Sequence, residues 1–262
     1  MAKDNSSGLK ILNYLKPAVN LIPEVQQSVK IVPLKDKVMW TILALMIYLI
    51  ASKIPLYGIE HVVGDDPMLW TRLIMASNRG TLMELGIGPI VTAGMVVQLL
   101  VGAKILSVDQ KNKEDKELIN GLQKLMAIVI ALFEAFAYVF NGMYGNIEDI
   151  GAFKALMIIV QLVFASILVN LLDEVLSKGG YGLVGAISLF IATNVAEEVL
   201  WKTFSFMKEG DEYEGAFVGL FDYLLNKPNK FRAVKQAFLR ERLPNLNNVI
   251  ATVAVFMIVN FF

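Results

Sequence analysis

The sequence predicts an all-α fold that crosses a membrane several times. Three observations carry that prediction. Hydrophobic residues make up 56% of the 262 residues, and mean hydropathy is +0.57; an ordinary soluble domain is roughly 45–50% apolar. The apolar residues come in long blocks, at 38–50, 87–106, 122–140, 155–172, 183–200 and 249–262. These blocks approach the roughly 17–25 residues that a helix needs to cross about 30 Å of hydrocarbon. Six spans follow from them, with a further apolar piece at 68–75 that is too short to cross. A large soluble helical bundle is the alternative, but buried soluble helices rarely carry such long runs with so few charges.

The first block is short, and it extends through Lys53 to Tyr57 with long polar ends that reach the interface. Ahead of it, residues 1–37 are polar and contain Pro17, Pro23 and Pro33. They do not read as a cleavable signal. Leu9, Leu12, Leu15, Val19 and Ile22 fall roughly on one helical face, so residues 1–37 read as a segment lying on the membrane surface.

Charge sets the expected orientation. Six Lys/Arg precede the first span, and the loop after the second is rich in both signs. The segments expected on the opposite side, 53–80 and 141–154, carry only Lys53, Arg72, Arg79 and Lys154. The positive-inside rule then places the N-terminus in the cytoplasm. The 208–243 loop falls outside, and its seven basic and six acidic residues run against that pattern. Within it, 216–225 reads as a short amphipathic helix.

Several chemistries are excluded. Cysteine is absent and His61 is the single histidine, so disulfides, thiolate metal sites and histidine-rich metal sites drop out. The formal net charge is zero, which gives no field for nucleic acid. No His-Glu-x-x-His motif, Walker loop or paired intramembrane aspartates occur. No enzyme and no cofactor are expected. Asp173 and Glu174, and likewise Glu197 and Glu198, read as solvated charge at helix ends.

The break between the first two long spans is the informative stretch. Residues 68–75 form a half-length apolar helix entered through Asp65, Asp66 and Pro67, with Asp66 as N-cap and Pro67 at the first helical position. It ends at Ser77, Asn78, Arg79 and Gly80. A second helix is expected to start near Thr81, with Glu84 completing a capping box. Gly86, Gly88 and Pro89 follow. Irregular backbone at membrane depth is tolerated only where protein buries it or it lines an aqueous cavity. The half-helix is therefore expected to fold back into the protein; an ordinary outer loop with a surface helix is the alternative.

The run GTLMELGIGPIVTAG at 80–94, followed by Gln98, Leu99 and Leu100, resembles the plug and second span of the SecY-type protein-conducting channel, the alpha subunit of the Sec translocon. IPLYG at 54–58, LLDEVLSK at 171–178, Gly182 with GAISLFIATN at 185–194, and LPN at 243–245 are similar to the same family, in family order. The SNRG stretch resembles the eukaryotic branch and GIGPIVTAG the archaeal one.

The resemblance implies ten spans in two inverted five-span halves joined by a hinge after the fifth. This chain then holds residues 1–37 as a cytoplasmic interfacial segment, 38–207 as the first half with a plug at about 67–77, 208–243 as the outer hinge loop, and 244–262 as the sixth span. The remaining half would come from a longer protein or from a separate partner chain. The expected membrane is the archaeal plasma membrane or that of the endoplasmic reticulum.

Site residues follow from the resemblance in the same way. The plug comprises Met68, Leu69, Trp70, Leu73, Ile74 and Met75, with Arg79 and Gly80 after it, Gly80 as a hinge. The pore constriction falls on Ile87 and Val91 of the second span and Ile187 and Ile191 of the fifth, each pair spaced by one helical turn. Branched aliphatics there let a chain slide, offer no hydrogen bonds, and dewet when empty. Thr92 and Glu134 match the polar cluster of a lateral gate. An intramembrane carboxylate is a functional hypothesis by default, and a structural bond to a neighbouring helix is the other reading of Glu134. The glycines beside Ile87 permit either close approach of the plug or a bend in the helix.

The expected function is passage of unfolded polypeptides across the membrane and lateral release of hydrophobic helices into lipid. The implied partners are SecE/gamma-like and beta-like small subunits, a ribosome or translocation motor, signal sequences and nascent chains. The alternative is a secondary transporter whose broken helix and Arg79 bind a small anion. A transporter needs converging polar ligands at its centre, where this sequence has isoleucine and valine.

Overall fold

In the computed structural model the described residues are 22–23, 25, 32–59, 69–106, 113–145, 150–177, 181–183, 185–209, 212–226, 230–240 and 244–261. The surface segment expected within 1–37 therefore falls largely outside them, as do Asp65, Asp66, Pro67 and Met68. Two compact units divide the chain at Asn194/Val195, the first running Met1–Asn194 and the second Val195–Phe262.

The first unit begins with α1 (Leu34–Ala51), which starts earlier than the apolar block because Pro33, fixed in an extended conformation, caps it. A six-residue helix follows, α2 (Leu69–Ile74), then α3 (Gly88–Gly102), α4 (Lys113–Phe140), α5 (Ala152–Ser177) and the first half of α6 (Ala186–Phe204). Among the described residues, α4 from Asp115 and α5 have both the length and the apolar run to cross a bilayer. The other expected spans are shorter or more charged. α3 has 15 residues, about 22 Å at 1.5 Å per residue. It is short because the chain entering it stays irregular to Ile87.

Helices α3, α4 and α5 pack in sequence and α1 lies against α5. One apolar cluster gathers Tyr48, Met83, Ile87, Ile90, Ala127, Val169 and Phe190. A second gathers Leu56, Leu85, Ala131, Val139, Ile158 and Leu162. The outward faces remain apolar: Ile42, Met46 and Ile50 on α1, Phe133 and Phe140 on α4, and Phe153, Val160 and Phe164 on α5 are all exposed. Aliphatic and aromatic side chains on both faces of a helix suit lipid on the outer one.

The second unit holds the rest of α6, a two-stranded hairpin β1 (Lys208–Glu209) and β2 (Glu212–Tyr213), and helices α7 (Ala216–Asn226), α8 (Lys230–Phe238) and α9 (Leu246–Phe261). The amphipathic helix expected at 216–225 is α7. Its Tyr223 packs with Ala237 and Leu246. Arg240 pairs with Glu212 at 3.7 Å, donates to the Tyr213 carbonyl and lies over the Tyr223 ring. Burial raises the Tyr223 phenol to about 12.

Candidate functional site

The half-helix α2 closes on itself. The Met75 amide donates to the Thr71 carbonyl and the Ser77 amide to the Arg72 carbonyl, both at 2.9 Å, with Ala76 between them at φ 50. That closure around a left-handed residue is a common helix stop, with alanine where glycine is usual. The chain then doubles back. The Asn78 amide reaches the Met83 carbonyl at 3.1 Å, and the Ile87 amide reaches the Met75 carbonyl at 2.9 Å.

Gly86 makes the last of these approaches feasible. It sits at φ +55, and a Cβ there would stand 2.2 Å from the Met75 carbonyl oxygen. Of the two roles open to the glycines beside Ile87, close approach is the one Gly86 has. A Cβ on Gly88 would meet Glu134 Oε2 at 3.8 Å, an ordinary contact.

A buried polar network ties the half-helix to this return. Arg72 Nη1 lies 2.5 Å from Glu84 Oε1, with the side chains 7% and 0% exposed. The same nitrogen donates to Ser77 Oγ at 3.2 Å, and the Ser77 hydroxyl donates to the Glu84 carbonyl. The Gly80 amide donates to the other carboxylate oxygen of Glu84. Burial pushes the Glu84 carboxyl upward from the ordinary range, while Arg72 and the Gly80 amide pull against it. The expected helix start at Thr81 does not form. Glu84 is drawn inward to Arg72 and reaches back to Gly80 rather than to Thr81, so 81–87 stays in turns and α3 begins at Gly88 with Pro89 in its first turn.

Three further elements hold the assembly. The segment after α1 pairs with the return: the Leu56 amide donates to the Gly80 carbonyl and the Leu82 amide to the Ile54 carbonyl, both at 2.9 Å, around a Pro55–Thr81 bridge. Tyr48 of α1 donates its hydroxyl to the Ala76 carbonyl, and its ring stacks on Phe190 of α6 at 4.9 Å between centroids. Asn78 Nδ2 donates to Asn194 Oδ1 at 3.3 Å.

The candidate residues fall as follows. Ile87 is fully buried in the first apolar cluster, and Val91, Ile187 and Ile191 pack against the same cluster, half-buried. Leu69, Trp70 and Leu73 lie on α2, where Ile74 is exposed and Met75 half-buried. Arg79 is half-buried. Gly80 is buried at φ 73, with both its amide and its carbonyl engaged. Thr92 and Glu134 are half-buried, Glu134 facing Gly88 one turn before Thr92.

Glu174 departs from the solvated reading. It is 4% exposed and pairs with Lys124 at 2.6 Å. The pair lines a cavity of about 330 Å³ with Asn120, Gln123, Asn170 and Asp173. Glu198 is half-buried and pairs with Lys202 one turn on. Among the described residues no group of three or more His, Cys, Asp or Glu is placed to hold a metal ion.

Sequence reading missed Tyr48, Arg72, Glu84 as an ion-pair partner, and Tyr144. For Arg72 and Glu84 a signal existed. They are the one cation inside an apolar half-helix and the one acid in the run that follows, and such charges seek each other when buried.

A mostly helical chain with apolar outer faces, its half-helix folded back against the start of α3, is a polytopic membrane protein. The family model described as SecY matches residues 81–262, and the one described as the plug domain of Sec61p matches residues 46–80. The chain belongs to the SecY family. It is 50% identical over 261 residues to the protein transport protein Sec61 subunit alpha of Pyrenomonas salina, covering 98% of this chain and 53% of that protein. It is 49% identical over 259 residues to the Dictyostelium discoideum protein of the same name, covering 97% of this chain and 54% of the other. The chain thus spans about half the length of the relatives it matches. Among solved structures it is similar to a chain of "The structure of a protein conducting channel", with TM-score 0.73, 34% identity, and coverage of 94% of this chain and 51% of that one. It is equally similar to "Sec61 in the Canine ribosome-channel complex from the endoplasmic reticulum", with TM-score 0.73, 34% identity, and coverage of 94% and 52%.

Proposed function

We propose that this chain forms the first half, with the first span of the second half, of a protein-conducting channel that passes unfolded polypeptides across a membrane and releases hydrophobic helices sideways into lipid. The observation that carries this reading is α2, apolar and only six residues long, folded back and pinned by Arg72 to Glu84 against the cluster that Ile87 joins. In this role residues 67–77 are the plug. Ile87, Val91, Ile187 and Ile191 are the constriction, and Thr92 and Glu134 belong to the lateral gate. Residues 208–243 serve as the hinge between halves.

Partners follow from the relatives. One similar structure is a ribosome–channel complex of the endoplasmic reticulum and another an Ssh1 complex bound to an 80S ribosome. A ribosome, two small membrane subunits of gamma and beta type, and signal-bearing nascent chains are therefore proposed here, in the endoplasmic reticulum membrane with the N-terminus cytoplasmic.

The test is deletion of residues 68–76 in cells carrying the intact assembly, with secretion of a reporter bearing a defective signal sequence and resting ion conductance as readouts. The protein stays inserted, since no span is lost, while signal selectivity relaxes and leak rises. Unchanged stringency and unchanged leak at normal protein level would overturn the plug assignment.

A further inference from the structure

The segment after α4 holds a phenol that has no hydrogen-bond partner among the described residues. Tyr144 lies in 141–145 and packs against the apolar cluster that contains Leu85, with Leu82 packed on the same cluster. These two leucines flank Glu84 within the chain by two residues and one. Among the described residues the Tyr144 hydroxyl is enclosed and finds no hydrogen-bond partner. A buried polar group left in that condition is uncommon and calls for an explanation. Burial raises the phenol, Glu84 and Tyr138 raise it further, and Arg72 and Arg79 lower it. Tyr144 thus stands within electrostatic reach of the Arg72–Glu84 pair while bonded to neither.

The two members of that pair sit on opposite sides of any movement of α2. Arg72 belongs to the half-helix. Glu84 belongs to the return, which the Leu56–Gly80 and Leu82–Ile54 hydrogen bonds fasten to the segment after α1. Gly80 is engaged on this same fastened side, so a swing of α2 pivots on residues before it. Such a swing takes the guanidinium away and leaves a buried carboxylate held by the Gly80 amide. Losing one partner of a buried pair is the expensive way to break it, because the other charge is stranded.

We propose that Tyr144 is a positioning residue that takes over Glu84 when α2 leaves, its hydroxyl donating to the carboxylate that Arg72 has released. The inference rests on the reading of α2 as a mobile plug. Glu84 then has two alternative partners, Arg72 in the closed state and Tyr144 in the displaced state, and the exchange lowers the cost of opening without weakening closure. In the closed state the phenol is held ready by ring packing alone, which is why its hydroxyl is idle there.

The experiment compares Tyr144→Phe, Arg72→Gln and Glu84→Ala, singly and in combination, in the intact assembly, reading secretion of a reporter with a weakened signal sequence. Tyr144→Phe keeps the ring and removes the donor, so protein level stays normal. Weak-signal secretion falls on the order of tenfold, the size of one hydrogen bond to a charged group. Arg72→Gln moves it the opposite way. In the Glu84→Ala background Tyr144→Phe has no further effect, since the acceptor is gone. An equal loss in both backgrounds marks Tyr144 as merely structural and overturns the proposal, as does no effect of Tyr144→Phe. If Arg72→Gln and Glu84→Ala also leave secretion and leak unchanged, it is the plug reading that fails.

Discussion

Arg72 and Glu84, twelve positions apart in the chain, meet at 2.5 Å in an interior where neither side chain exceeds 7% exposure. One rides on the half-helix and the other on the return strand of chain behind it, so the pair measures whether the two are docked. Replacing Arg72 with Gln takes the guanidinium from the buried Glu84 carboxylate, and a buried pair broken on one side costs about 3–5 kcal/mol. The expected outcome is a loosened half-helix, seen as relaxed signal stringency and raised resting conductance. Glu84→Gln is milder, because the amide still accepts from Gly80 and strands a cation that is part of a larger polar group.

Gly86 is predicted to be intolerant of any side chain. A Cβ would stand 2.2 Å from the Met75 carbonyl and 2.8 Å from that of Ala76, at a φ of +55. Backbone atoms are the obstacle, so relief requires separating the return from the end of α2. Gly86→Ala is expected to cost more than about 2 kcal/mol. Thermal unfolding of the purified assembly in mild detergent measures this, and a Tm lowered by less than 1 °C, roughly a few tenths of a kcal/mol, would show that the two carbonyls yield freely.

The constriction assignment has its own test. Val91 and Ile187 approach one apolar cluster from the beginnings of α3 and α6. The pair of substitutions Val91→Asp with Ile187→Asp places charge where dewetting is proposed to hold ions back. Bilayer conductance of the intact assembly should rise by on the order of tenfold or more, a barrier change of only ~1.4 kcal/mol. Conductance equal to the parent would remove these residues from the constriction.

Lys124 and Glu174 are predicted to stabilise the α4–α5 hairpin as a unit rather than one by one. Glu174 is nearly inaccessible and Lys124 is 13% exposed, at 2.6 Å. Glu174→Gln leaves the ammonium without its counter-charge, at about 2–3 kcal/mol for a partly solvated partner. The double replacement Lys124→Met with Glu174→Leu removes both charges and should recover most of that loss, because well-packed apolar groups replace a buried pair at little cost. A double mutant as unstable as the single one would mean the carboxylate serves its other neighbours more than Lys124.

A partner prediction follows from the proposed channel. Purification in mild detergent should recover a single-span membrane subunit with the intact assembly, braced across the two halves. Its consistent absence would argue against that architecture.

Hydropathy by itself determined that the chain is helical and membrane-bound, because apolar blocks of span length have few other destinations. Composition ruled out thiolate and histidine metal chemistry. The interrupted apolar piece at 68–75, with polar residues after it, marked the half-helix, and its described part is α2, Leu69–Ile74. What the tertiary structure alone decided was where the charges go. Thr81 and Glu84 have the spacing of a helix start, yet Glu84 turns inward, because a cation twelve residues earlier is brought beside it by the chain reversal, and an ion pair in a low dielectric outweighs a local cap. The same holds for Glu174, which reads as a solvated helix end until α4 lays Lys124 against it. Tyr48 and Tyr144 carry no local signature at all. Tyr48 donates to Ala76, 28 positions later, and Tyr144 packs on the cluster that Leu85 joins from a distant part of the chain. Local pattern reports period and propensity, which arise from neighbours along the chain. Pairing of buried polar groups arises from neighbours in space, and those exist only once the helices have packed.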